Sequence, residues 1–373
     1  MPENRLNQQT LQSRLFALKA EVGEWLDKRR CSDGPFGRFS FCEGAMAPYE
    51  LNASTGGIEL WVMLGLPMDM EQKQQATAVL QEYQQPENGL VYDPAWEGRY
   101  IDCDRETACK TSFFFTMTAA SALEALKTTY RYPIRYLTES SPDELVSKTT
   151  LTNAVGGPYG IGNYGTLLRV NAKRGDQCAE DAFWKTCDYL ETTQDPQTGF
   201  WSDTSIQPPY TRYINLCFHL LRTTWNVVGK PYPHADKMID ICLSCADDPA
   251  FYGWENGFAC NDLDLAVVLY SASQYTNHRA NEVSAWAQRA LPQLLRVQKA
   301  DGGFSFYHNK TMTEHFFIRM TDGFTDRGDM WGTLMYMGAI KMAAHLAFPD
   351  MRVPWDFCRV HCVPQVIKDE KDV

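Results

Sequence analysis

The chain has 373 residues, 44% of them hydrophobic, and a formal net charge of −11. That is enough apolar material for one large core. The acidic balance argues against a nucleic-acid partner, and no run reaches the ~18 apolar residues that a membrane span needs.

The first ten residues, MPENRLNQQT, show no basic segment followed by an apolar one. The expectation is therefore a cytoplasmic protein whose twelve cysteines are thiols. Residues 11–30 carry charge on one face and apolar side chains on the other, as an amphipathic helix does. A turn, Asp33-Gly34-Pro35-Phe36-Gly37, leads to a more apolar stretch at 49–66. The alternation then repeats. A polar-faced segment at 70–84 precedes the turn Pro86-Glu87-Asn88-Gly89, and an apolar one at 107–126 contains Phe113, Phe114 and Phe115.

Ser141-Pro142-Asp143-Glu144 predicts a helix start, with serine as N-cap, proline first and glutamate third. Gly156-Gly157-Pro158-Tyr159 marks a third turn, and the stretch after it, 159–169, is rich in glycine. Residues 176–193 are polar-faced, Asp195 to Gly199 is a turn, and 213–228 are apolar. Cys242 and Cys245 form a CxxC inside an apolar run with no second pair, so they read as small buried residues. Trp254-Glu255-Asn256-Gly257 and Asp301-Gly302-Gly303 are the last two turns, each followed by an apolar stretch, 264–275 and 329–346. Between them, Val283, Trp286, Ala287, Ala290, Leu291, Leu294 and Leu295 recur at helical spacing.

Glycines at 37, 89, 157, 199, 257 and 303 punctuate the pattern at intervals of 42 to 68 residues. Periods of this size indicate stacked supersecondary units. Polar-faced helices alternating with apolar ones predict an outer and an inner ring. The expected fold is all-α, an (α/α)6 toroid or six-hairpin barrel. One domain would cover residues 1–347, with 348–373 packing on it as an extension. Each glycine is expected to end an outer helix in the left-handed conformation.

The repeat has a family likeness. Leu294-Leu295-Arg296-Val297-Gln298-Lys299-Ala300-Asp301-Gly302-Gly303-Phe304 resembles the LxxLQxxDGGF repeat of terpenoid cyclases and protein prenyltransferase β subunits, and 189–201 resembles it too. The resemblance implies a toroid with a central cavity. Prenyltransferases carry a DxxHT zinc motif, but the matching run here is Asp329-Met330-Trp331-Gly332-Thr333, with glycine at the histidine position. Class II cyclases donate a proton from a DxDD motif. Asp102-Cys103-Asp104-Arg105 and Asp262-Leu263-Asp264-Leu265 are similar to it, but Arg105 and Leu265 replace the last carboxylate.

Carboxylates gather where the inner helices are expected to begin: Asp102, Asp104, Glu106, Asp203, Asp262, Asp264, Asp326 and Asp329. Crowded round one mouth, they would raise one another's pKa and keep one protonated as a general acid. Each also suits a helix N-cap, yet one cap per helix suffices and the Asp-x-Asp pairs exceed it. Asp102, Asp104, Glu106, Asp262 and Asp264 are thus the catalytic candidates.

Trp201, Trp254, Tyr210, Phe304, Tyr307 and Trp331 could wall a substrate cavity, since aromatic faces stabilise cations and stack on sugars. His308, flanking the last loop with His315, could exchange protons, and Arg212, Arg319, Asp326 and Asp329 could hold polar groups. Cys358, His361 and Cys362 supply three metal-type ligands without an evident fourth, so neither metal nor other cofactor is expected.

The expected activity is an acid-initiated cyclase or isomerase of an isoprenoid-like small molecule. A carbohydrate-active hydrolase or lyase with paired carboxylates, and a non-catalytic binding toroid, are the alternatives.

Overall fold

The computed structural model describes residues 8–101, 105–151, 157–246 and 257–357, with the backbone alone at 105–107. The chain alternates between two rings. The outer elements are α1 (Gln8–Arg29), α3 (Met70–Glu82), the short α5 (Arg135–Thr138) and α6 (Pro142–Ser147), α8 (Gln177–Thr193), α11 (Ala235–Ser244) and α13 (Ala280–Arg296). The inner ones are α2 (Leu51–Met63), α4 (Arg105–Ala125), α7 (Ile161–Ala172), α9 (Thr211–Thr223) with its one-turn sequel α10 (Trp225–Val228), α12 (Ala259–Ser273) and α14 (Met330–Ala347). A short antiparallel hairpin, β1 (Glu314–His315) and β2 (Ile318–Arg319), lies between α13 and α14.

Burial separates the rings. Sixteen of the eighteen residues of α14 are buried, against six of the seventeen in α13. The inner helices touch in sequence, α2 to α4, α7, α9, α12 and α14, and α14 returns to α2. That closure is the (α/α)6 toroid expected from the alternation. No helix is long and apolar enough to cross a membrane among the described residues.

The turns are built alike. Glutamine at the end of an outer helix donates its side-chain amide to the glycine carbonyl of the turn: Gln84 to Gly89 at 2.8 Å, Gln194 to Gly199 at 2.6 Å and Gln298 to Gly302 at 2.8 Å. The glycine does not cap the outer helix, as the sequence suggested, but stands several residues beyond it. Its task is contact with the next outer element. A Cβ on Gly89, whose φ is +80°, would lie 1.9 Å from the Pro133 carbonyl oxygen. At the sixth turn the left-handed residue is Gly302 rather than Gly303, and a Cβ on Gly303 would strike Trp25 of α1 at 2.6 Å. The last turn thereby packs on the first helix. Trp25 Nε1 donates to Asp301 Oδ2 at 3.0 Å across the same junction.

Two helices depart from expectation. The glycine-rich third inner segment does form α7, because Gly165 lets it close on α9: a Cβ there would sit 2.7 Å from the Thr223 carbonyl oxygen. And α12 starts at Ala259, five residues before the predicted 264, so Asp262 and Asp264 lie within its first two turns and cap nothing. The Ser141 start is as predicted, with Ser141 and Glu144 forming a reciprocal capping box.

Past α14 the chain stays on the barrel. Trp355 Nε1 donates to the Met337 carbonyl at 3.1 Å, and the Asp356 amide to that of Met63 at 2.8 Å. Cys358, His361 and Cys362 lie outside the described residues.

Candidate active site

Because each inner helix is followed by an outer one running back, all inner helices start at the same end of the ring. Residues 305–321 roof part of this mouth. The Ala259 amide donates to the Phe306 carbonyl at 2.7 Å, at the start of α12. Further on, Thr111 Oγ1 of α4 donates to the Phe316 carbonyl at 3.1 Å. The Arg319 amide donates to the Arg99 carbonyl at 2.9 Å. The hairpin turns on Phe316 and Phe317, both left-handed with φ of +47° and +72°. Phe316 lies flat on Phe114, ring centroids 4.0 Å apart and planes 7° off parallel.

Beneath this roof the mouth is packed. His315 Nδ1 lies 3.0 Å from Asn52 Oδ1, and Trp331 Nε1 donates to the same oxygen. The imidazole is ringed by Phe114, Phe115 and Trp331, and burial pushes its pKa down to about 3. It is a neutral member of the packing.

The other side of the mouth holds an open cavity of about 850 Å³, between the 205–211 loop and the starts of α9 and α12. Gln207, Thr211, Arg212, Asn215, Phe258 and Asn261 line it. Behind Asn215 lies Asp264, only 1% exposed. Asn215 Nδ2 donates to Asp264 Oδ2 at 2.7 Å, and the Cys260 thiol approaches the same oxygen at 3.4 Å. Among the described residues Oδ1 has no hydrogen-bond partner.

Burial pushes the Asp264 pKa up to about 8, against the lowering effects of Asn215, Cys260 and the Arg222 guanidinium; Asp262 adds to the rise. The carboxyl is therefore neutral at pH 7. A neutral carboxyl has one accepting and one hydroxyl oxygen. Since Oδ2 accepts from Asn215, the proton belongs on Oδ1, the oxygen that has nothing to donate to among the described residues.

Asp262 does not share this site. Two residues along a helix turn the side chain about 200° away, toward α14. There Oδ2 accepts from the Tyr336 hydroxyl at 2.7 Å and lies 3.1 Å from His308 Nε2. The supposed Asp-x-Asp pair thus looks into two different seams.

The remaining sequence candidates scatter. Asp329 is fully buried and taken up by backbone: its oxygens accept from the amides of Phe306, Gly332 and Met312, at 2.8, 2.7 and 2.9 Å. Asp326 is exposed beside Arg327, and Arg319 pairs with Asp322 at the surface. Trp201 and Phe304 are packed into the core, Trp201 donating to the Leu190 carbonyl and Phe304 stacking on Tyr336. Trp331 is buried under the roof. Tyr307 and Tyr210 are half-buried, Tyr307 beside Phe258 and Tyr210 at the start of α9. Arg212 is exposed at the cavity wall, over the ring of Tyr213. Asp102, Asp104, Trp254 and the Glu106 side chain lie outside the described residues. Among the described residues no three His, Cys, Asp or Glu side chains converge as a metal site.

Asn215, Cys260 and Asn261 were missed as site residues. Asn215 carried a signal, an amide inside a run otherwise apolar, Tyr213-Ile214-Asn215-Leu216-Cys217.

No family model matches the chain, and no curated protein matches it. Among solved structures it is similar to the type II terpene cyclase MstE from Scytonema, with a TM-score of 0.45 and 14% identity over 91% of this chain and 99% of that one. It is similar also to the GH76A α-1,6-mannanase from Salegentibacter sp. HEL1_6, with a TM-score of 0.45 and 12% identity over 88% and 98%. A polysaccharide lyase aligns with a TM-score of 0.46 and 9% identity over 91% and 99%. The likeness is in the course of the chain, and it does not choose among their chemistries.

Proposed function

We propose that this protein is an enzyme that starts its reaction by proton donation, with Asp264 as the acid and a small molecule in the cavity beside Asn215 as substrate. The observation that carries this reading is the buried carboxyl of Asp264, its pKa raised to about 8, with one oxygen unpartnered among the described residues, behind Asn215 of the cavity wall. A general acid works best with a pKa near the working pH. After donation, Asn215 and Arg222 favour the carboxylate that remains.

The reaction class that fits is an isomerisation or cyclisation of an isoprenoid-like compound. It needs one acid, and one is what the seam between α9 and α12 presents; Asp262, turned toward Tyr336, offers no partner carboxylate. Arg212 on the cavity wall suits an anionic head group. A second reading is favoured by the polar lining: Gln207, Thr211, Asn215 and Asn261 could serve sugar hydroxyls. Most glycosidases require a second carboxylate, and none is among the described residues that line this cavity.

The test is incubation of the wild type and Asp264→Asn with farnesyl diphosphate, geranylgeranyl diphosphate and squalene, with products read by mass spectrometry, beside an oligosaccharide panel read by new reducing ends. A cyclised or isomerised product that Asp264→Asn does not form supports the first reading. Sugar cleavage alone moves the chain to the second, and a product formed equally by Asp264→Asn removes Asp264 as the acid.

A further inference from the structure

The mouth carries a second cavity. It holds about 740 Å³ and lies between the segments that enter α2 and α4, across the ring from the α9 and α12 seam. Three tyrosines, Tyr49, Tyr83 and Tyr92, and three prolines, Pro48, Pro86 and Pro94, give it apolar walls. The second turn sets two of the tyrosines, because the Tyr92 amide donates to the Tyr83 carbonyl at 2.9 Å.

The charged groups of this cavity are already matched. Arg38 Nη2 donates to both Glu82 oxygens, at 3.0 and 3.4 Å, and Nη1 donates to the Tyr49 hydroxyl at 3.2 Å. The same guanidinium lies over the Tyr49 ring, 4.4 Å from its centroid. Asp93 spends its two oxygens on the amides of Ala95 and Leu51, at 2.9 and 2.7 Å.

What remains unspent is neutral. Tyr83 is 8% exposed, and its hydroxyl has no hydrogen-bond partner among the described residues. Burial pushes its pKa up, and Asp93 and Glu82 add to the rise, so it stays a phenol with a proton to donate. The Tyr49 hydroxyl accepts from Arg38 and, among the described residues, has no acceptor for its own proton.

These groups select by elimination. An anion would meet Glu82 and Asp93 with one guanidinium to offset them, and like charges in contact are costly. A cation would seek an aromatic face beside a carboxylate, and the chain's own Arg38 already holds the Tyr49 face and Glu82. A plain hydrocarbon would bury two phenols unpaired. A ligand with neutral hydroxyls and an apolar face meets none of these objections, since tyrosine offers a ring to one and a polar tip to the other.

We propose that the cavity between the entries to α2 and α4 is a second binding site, for a neutral saccharide whose ring lies against the tyrosines and whose oxygens accept from Tyr83 and Tyr49. The site goes beyond the reading of Asp264 and does not depend on it. The two cavities share no lining residue.

The test uses maltotriose, cellotriose and mannotriose as probes, with trigalacturonate and spermidine as charged counterparts. Each is titrated into the whole protein and read by saturation-transfer NMR. Wild type, Tyr83→Phe, Tyr49→Phe and Arg212→Ala, which alters the first cavity, are compared after thermal unfolding has shown each to be folded. The expected result is binding of at least one neutral trisaccharide at millimolar concentration or below. Tyr83→Phe should weaken it about fivefold or more, as loss of one hydrogen bond does, and Arg212→Ala should leave it unchanged. If Tyr83→Phe does not fold, Tyr49→Phe takes its place. The proposal is overturned if no neutral sugar binds, or if trigalacturonate or spermidine binds in their stead. It is overturned also if the folded tyrosine variant binds as wild type does, and a loss in Arg212→Ala then puts the sugar in the first cavity.

Discussion

Asp262 and Asp264 stand two residues apart on one helix and belong to different networks: Asp262 accepts from Tyr336 across α12 and α14, and Asp264 accepts from Asn215 across α9 and α12. One is bound on its far side by a hydroxyl and an imidazole. The other keeps an oxygen with no partner among the described residues, behind Asn215 of the cavity wall. Their substitutions therefore separate.

Asp264→Asn replaces a neutral group with a neutral one at pH 7, and it should fold normally there. The folded pKa of about 8 lies above the ordinary aspartate value of 3.8. Between these values the folded state binds more protons than the unfolded one, so wild-type stability falls as pH rises from about 4 to 8 and is level above. The variant should lose that slope. Chemical denaturation at pH 5, 6.5 and 8 checks it; parallel curves for the two proteins would refute the raised pKa.

Asp262→Asn should instead destabilise, by about 2 kcal/mol, since the Tyr336 hydroxyl and His308 lose a buried carboxylate. The urea midpoint reads this, and an unchanged midpoint would mean the network carries no stability.

His315 titrates with the opposite sign. Its folded pKa of about 3 lies below the ordinary histidine value of 6.5, so acid favours the unfolded chain and stability drops as pH falls below 6.5. At pH 5 the loss attributable to this residue is about 2 kcal/mol. His315→Gln should show a shallower acid decline between pH 7 and 5; an equal decline in both proteins would place the acid sensitivity elsewhere.

Gly89 and Gly65 offer a matched pair. Both have positive φ, +80° and +61°, but a Cβ meets the Pro133 carbonyl at the first and nothing within 4 Å at the second. Gly65→Ala should lose about 1 kcal/mol from backbone strain alone. Gly89→Ala should lose about 3 kcal/mol, strain and collision together. Equal losses would show that the turn's approach to the next outer element is soft.

Phe317→Gly tests the roof. The residue is 38% exposed and held at φ +72°, so glycine relieves strain while giving up little packing. A gain of about 1 kcal/mol is expected, and a loss would mean the exposed ring contributes more than the strain removes.

What the sequence made legible was whatever repeats or stays local. Gln84, Gln194 and Gln298, with the glycines after them, mark three of the six turns, and the alternation of polar-faced and apolar helices gives two rings. The Ser141 cap is contained in four residues. The start of α12 was misplaced because Asp262 and Asp264 read as capping residues, whereas the helix enters from the extended Phe258. Asp264 was visible as a candidate, but its distinction from Asp262 was not, since the amide that separates them, Asn215, comes from another helix 49 residues away. The roof was hidden for a related reason. Two phenylalanines at positive φ go against local preference, and they are held by Thr111, Phe114 and Arg99, some 200 residues earlier.

The junction of Gly302 and Gly303 with Trp25 has a bearing on how this molecule comes into being. An open stack of hairpins can begin folding anywhere and grow outward, each unit needing only its neighbour. A closed one cannot finish until segments nearly 280 residues apart have met, and contacts of such separation slow folding. No hairpin can be deleted without exposing two apolar flanks. The protein is thus expected to melt in a single cooperative step rather than fray from either end.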